Sequence, residues 1–310
     1  MRPRLPSALA AALLAAAAHA PAAEPAKPAA PAVDLKTQCA QLPSAPIGVP
    51  DLNANDLALR SSCVLAGILP STDRIRDARS FALRSYELGD PAGGFMLYVV
   101  FNSDPANRYL HDGKPDLAAY QRLAARPVDE RKDQIQAIEA LGFAAGKGHV
   151  NAGVLLAGYF HDTVAPKNVI RVRALTGLLA KTGHTSPLVE RFGREAEMIE
   201  KVAPTTHASV RSFLDAYRGA TSAALAGYRA QTGGKTCDKA TLKSASAGDI
   251  VGAEYLPLKG TMVADSYLLK GEWPEYWTFD ACGEEVPVKV TFKADGWGGA
   301  FFTAAHNKGQ

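Results

Sequence analysis

Apolar residues recur at helical spacing from Leu35 to about Gln231. Ile75, Ala78, Ala82, Leu83 and Tyr86 share one face of a helix that Asp73 can cap and Gly89 stops. Pro91, suited to a first helical position, opens an apolar helix that ends near Asn102. A further helix, capped by Asp129, carries Ile135, Ile138, Leu141, Gly142 and Ala145 along one side, and Gly146 and Gly148 end it. Residues 151–160 form a helix that packs back on it. Residues 168–182 form another, with Ile170, Ala174, Leu175, Leu178 and Leu179 facing inward. Gly183-His184 closes that helix, and Ser186-Pro187 opens the next as a cap followed by proline. A last long helix, 206–229, reads as a lid on the open end of a helical array, since a terminal unit must turn a polar face outward.

The pattern changes after Gly234. Short runs rich in Val, Tyr, Phe and Trp, at 250–258, 261–269, 276–281, 286–292 and 300–303, are separated by turn residues. Val286, Val288, Val290 and Phe292 alternate with Pro287, Lys289 and Thr291, the pattern of a half-buried strand. Asp295-Gly296 and Gly298-Gly299 predict a hairpin connection. The fold class expected is α+β: a helical domain over 35–232, then a small antiparallel β domain over 235–310. A β domain that small needs a covalent staple.

One segment occurs twice. Gly89-Asp90-Pro91-Ala92-Gly93-Gly94-Phe95 and onward to Phe101 parallels Gly148-His149-Val150-Asn151-Ala152-Gly153-Val154 and onward to Phe160. From Gly148 to Gly183 is 35 positions, one helix-turn-helix unit. From Gly89 to Gly148 is 59, so the polar stretch 102–115 reads as an insertion. The stretches from Ala82 through Gly89 to Ala92 and from Ala144-Ala145 through Gly148 to Ala152, each followed by an apolar helix, resemble Sel1-like repeats, a family with an alanine pair, a glycine, a few turn residues and an alanine; the resemblance covers residues 74–206. That resemblance implies a right-handed α-solenoid that serves as an adaptor between proteins, with no catalytic residues. It makes Gly89 and Gly148 turn glycines, Ala92 and Ala152 points of close helix contact, and Tyr159 the tyrosine that ends a second helix. Two departures stand out: Tyr159 is followed by Phe160-His161-Asp162-Thr163 and not by a glycine turn, and the unit from Gly183 lacks the alanine.

The N-terminus changes the setting. Arg2 and Arg4, the apolar run 9–18 and the small residues after it have the layout of a secretory signal peptide, taken as residues 1–22. An Ala/Pro-rich spacer, 23–34, follows. The chain is therefore expected in the periplasm or outside the cell, with no membrane span after signal removal. Removing the two arginines leaves 32 basic against 31 acidic residues, with no basic block, which argues against a nucleic-acid partner. The four cysteines suit an exported protein. Of three possible pairings, Cys39–Cys63 and Cys237–Cys282 keep each bridge inside one region. No two cysteines have zinc-knuckle or thioredoxin spacing.

The search for chemistry yields little. Trp273, Tyr276, Trp277 and Trp297 are candidate binding residues, as an aromatic platform for a sugar or peptide, or else core residues of a thin sheet. His149, His161 and His184 lie at helix ends, and His161-Asp162 and His111-Asp112 are paired in sequence. Turn and end-capping roles account for them, so no metal and no cofactor are assigned. Asp265, Glu272 and Glu275 are candidates for the paired carboxylates of a glycosidase, or else solvated acids on a sheet surface. No nucleophile elbow, zinc-protease helix or phosphate-binding loop is present. The function expected is a non-catalytic interaction module that binds an envelope protein or peptide. The alternatives are a glycan-binding protein that uses the C-terminal aromatics, or an envelope hydrolase.

Overall fold

Three helices end in the same way, and a glycine makes each ending possible. In the computed structural model, Gly89 donates to the Tyr86 carbonyl and Asp90 to that of Ser85, closing the helix end with paired bonds. Gly148 with His149 and Gly183 with His184 repeat the pattern. Each of these glycines has φ near +80°, where a Cβ would be strained. The structure describes residues 34–42, 53–111 and 114–307. The signal peptide, nearly all of the spacer and Asp112 lie outside these. The chain divides into two compact units, residues 1–153 and 154–310.

The first unit is helical. Its helices are α1 (Leu35–Ala40), α2 (Ala54–Leu65), α3 (Arg74–Glu87), α4 (Pro91–Ser103), α5 (Leu117–Ala124) and α6 (Lys132–Gly146). Asp34, Asn53, Asp73, Asp90 and Asp116 each accept a backbone N–H at the start of their helix. The Cys39–Cys63 disulfide ties α1 to α2. Helix α3 packs on α2 and α4, and α4 on α6, around Leu57, Phe81, Met96, Leu97 and Val100. Helices approach closely at Gly93 and Gly94, one and two positions beyond Ala92. A Cβ on Gly93 would lie 2.4 Å from the Tyr86 nitrogen, and one on Gly94 would lie 2.6 Å from the Ala140 oxygen. The stretch read as an insertion holds a 3-10 turn, Pro105–Asn107, and a two-residue hairpin, β1 (Leu110–His111) with β2 (Lys114–Pro115). Asp129 is not a cap. It lies in a 3-10 turn, Val128–Arg131, and α6 begins after it.

Helix α7 (Val150–Asp162) spans the division between the units. The second unit continues with α8 (Asn168–Lys181), α9 (Pro187–Val202) and α10 (Val210–Gln231). The strands are β3 (Ala240–Ala247), β4 (Val251–Tyr255), β5 (Leu268–Ala281), β6 (Glu284–Ala294) and β7 (Ala300–His306). They form one antiparallel sheet in the order β3-β5-β6-β7, with β4 also paired to β5. Alternation sends Trp273, Trp277, Phe279, Val286, Val288, Val290 and Phe292 to one face, where all are buried. Helix α10 covers that face: Phe213 stacks on Trp277 at 4.4 Å, and Gly227 admits His306 and Val286. The helix expected to close an array thus covers the sheet, with Ala216, Ala220 and Ala224 buried along it.

The Cys237–Cys282 disulfide joins the segment before β3 to the turn after β5. Residues 261–265 form a turn, so only Leu268 and Leu269 of that predicted strand join β5. Among the described residues, no helix is long and apolar enough to cross a membrane. The architecture is a mixture of helices and antiparallel sheet.

Candidate interaction surface

The four aromatics do not share a surface. Trp273 and Trp277 are fully buried under α10, with 0 % and 1 % exposure. Tyr276, between them on β5, points to the opposite face and is half-exposed. Trp297 lies half-buried in the β6–β7 connection, its backbone N–H donating to Asp295 Oδ1 at 2.7 Å. Both buried indoles donate to one carboxylate: Trp273 Nε1 to Glu275 Oε1 at 3.1 Å, and Trp277 Nε1 to Glu275 Oε2 at 3.0 Å. The Thr206 hydroxyl and the His207 N–H donate to Oε1 at 2.7 and 3.2 Å. Glu275 is thus a core acceptor with both oxygens satisfied. Glu272 lies on the other face of the same strand and Asp265 in a turn, so the three carboxylates form no acid–base pair.

His161 is buried between two acids, with Nδ1 2.7 Å from Asp162 Oδ1 and Nε2 2.9 Å from Glu195 Oε2. Its ring lies 4.2 Å from that of Phe192, and Arg211 holds Asp162 from the other side at 3.3 Å. Burial, opposed by Arg211, pushes the Asp215 carboxyl above the usual carboxylate range. Among the described residues, no three His, Cys, Asp or Glu side chains are grouped so as to hold a metal ion.

What stands open is one side of α8. Val169, Val172, Leu175 and Leu179 are buried, and α8 packs on α9. Helical spacing predicts Ile170, Ala174 and Leu178 inward, yet Ile170 and Leu178 are 45 % and 56 % exposed, with Ala174 exposed between them. Steps of four place all three on one row. Beside that row run two shallow depressions that share Ile170 and Glu200, of about 230 and 470 Å³. Arg173, Gly177 and Lys181 line the larger one, and Lys167 and His207 the smaller. Arg173 donates to Glu200 at 2.6 Å, and this bond holds its pKa above the ordinary value. Lys167, at the start of α8, has a φ of 70° and supplies no side-chain cap. The sequence missed this face because α8 is apolar on two sides; the small residues Ala174 and Gly177 are the signal that separates them. No protein-family model, no curated protein and no solved structure matches this chain.

Proposed function

We propose that this chain is a non-catalytic, exported interaction module that docks a partner protein of the cell envelope on the outward side of α8. The observation that carries the reading is the Ile170–Ala174–Leu178 row, apolar and exposed along a groove. Buried apolar rows stabilise a fold; an exposed one at the edge of a groove offers that free energy to another molecule. The twice-occurring segment and its resemblance to Sel1-like repeats support an adaptor role, with the helical part as a solenoid. Two disulfides fit the periplasm or the cell exterior. The glycan reading loses its tryptophan pair to the core.

A photo-crosslinking amino acid at position 174 tests this reading. In cells, it should give a discrete heavier adduct that contains one envelope protein. The same group at Lys243, an exposed position on β3, should not give that adduct. No adduct at 174, or the same adducts from both positions, rules out the surface.

A further inference from the structure

We infer that the groove beside Gly177 seats an α-helix of the partner protein, about 14 residues long, apolar along one side and carrying an acidic residue at each end. The inference rests on the docking reading above and adds the chemistry of the occupant.

Gly177 carries the argument. It lies in the interior of α8, and its φ is not in the left-handed range. A Cβ built there would meet nothing within 4 Å. Neither the backbone nor this chain's packing asks for glycine, and glycine weakens a helix interior relative to alanine. Five other helix-interior glycines are each explained by a close neighbour: at Gly93, Gly94, Gly193, Gly219 and Gly227, an added Cβ would lie 3.1 Å or less from another atom. Gly177 has the same form without the neighbour. Its place in the rows shows what would fit. Ile170, Ala174 and Leu178 make one ridge at steps of four, and Arg173, Gly177 and Lys181 make the next. The missing side chain at 177 leaves a hole in the second ridge that a bulky apolar knob from a crossing helix can enter.

Charge sets the ends. Arg173 is neutralised by Glu200. Lys167 and Lys181 stand at opposite ends of α8, about 21 Å apart along the axis, with no ion-pair partner among the described residues. Lys167 adds its charge to an N-terminus that already carries the positive end of the helix dipole and lacks a side-chain cap. An acidic residue of the partner there meets both, and a second acid meets Lys181. A lipid surface is the weaker fit, because a bilayer gains from a large apolar side chain at 177 and has no use for a hole.

The test uses the full chain and a fluorescein-labelled synthetic 16-residue helical peptide with leucines along one face and glutamate at both ends, followed by anisotropy. The wild type should bind it. Gly177→Leu, which fills the hole and has room to fold, should weaken binding by about tenfold or more, as should Lys181→Glu, with circular dichroism unchanged. A peptide with lysine at both ends should bind about tenfold more weakly than the glutamate peptide. Equal binding of the two peptides overturns the inference, as does unchanged binding by Gly177→Leu. So does attachment to phosphatidylglycerol vesicles that Gly177→Leu strengthens. If the position-174 adduct forms and the peptide fails, the docking surface stands and the helical, acid-ended occupant falls; if both fail, both readings fall.

Discussion

The imidazole of His149 stacks on the ring of Phe95 with centroids 4.9 Å apart, while its Nδ1 accepts the backbone N–H of Ala152 at 3.2 Å. In the parallel segment the same place is held by Asp90, whose carboxylate accepts the N–H of Ala92 at 3.0 Å. The two copies of the repeat thus use different chemistry for one task, capping the helix after the glycine turn. A carboxylate caps over a wide pH range; an imidazole does so only when neutral. Burial pushes the His149 pKa below its ordinary 6.5, with Asp90 opposing. As pH falls through that value, the unfolded chain takes up the proton first, so the unfolded state gains stability. The contribution of His149 is complete above about 6.5 and is lost as pH falls through the lower folded value. Urea unfolding at pH 7.5 and pH 5.5 checks this. The wild type should lose more stability between the two than His149→Asn, which keeps an acceptor and does not titrate there.

Glu275 predicts a core defect from a change of one atom. All four of its contacts are donors: two indoles, a hydroxyl and a backbone N–H. In Glu275→Gln, an NH2 must face one of them. Kept towards Oε1, the carbonyl retains three donors and the amide confronts Trp277 Nε1–H; flipped, it confronts three. The loss should be about 2 kcal/mol, the cost of an unsatisfied buried donor beside a weakened set of bonds. Trp277→Phe should cost a similar amount, and the double variant less than the sum, because both remove the same bond. Denaturant midpoints and tryptophan fluorescence report both. If the double variant costs the full sum, the two residues are not coupled through this bond.

Arg131 is 1 % exposed. Its guanidinium donates to the Arg126, Ala124 and Leu123 carbonyls at 2.8, 3.0 and 3.2 Å, and to Gln134. Ala124 is the last residue of α5, so the cation sits where the negative end of that helix dipole lies. Arg131→Met keeps the length, removes every donor and should cost about 3 kcal/mol. Arg131→Lys keeps the charge but cannot reach three carbonyls at once, and should fall between the two. Thermal unfolding of the three proteins gives the order; a lysine variant as stable as wild type would show that charge alone suffices.

What was legible in the sequence was local. The glycine turns at 89, 148 and 183, the Asp73 and Ser186 caps and the Val286–Phe292 alternation each depend on atoms a few residues apart. What was not legible depends on distant partners. Strand β3 holds no Val, Ile or aromatic residue and one Thr among Ala, Ser, Lys and Leu, and exists because β5 pairs with it. Helix α10 has an apolar face that suits an array or a sheet equally well, and only the strands that follow decide between them. The tryptophans fitted a platform or a core, and the one-residue alternation of β5 places two of them inside and Tyr276 outside. Helix α8 offered two apolar rows, and periodicity cannot say which one the neighbouring helix takes.

Glycine to alanine should have opposite signs at two positions, and this separates packing from helix propensity. Gly94 lies in α4, where α4 meets α6; a Cβ there would lie 2.6 Å from the Ala140 oxygen and 3.4 Å from the Ala144 Cβ. Backbone cannot step aside as a flexible side chain can, so the two helices must separate, and Gly94→Ala should cost about 2 kcal/mol or more. At Gly177 the same Cβ meets open space, and the only change is the better helix former. Gly177→Ala should therefore raise stability by about 0.5–1 kcal/mol. For a unit of this size that is a rise in Tm of about 1–4 °C. A fall in Tm for Gly177→Ala would mean that something in the folded chain already occupies the notch, and the groove on α8 would then not be free to receive a partner.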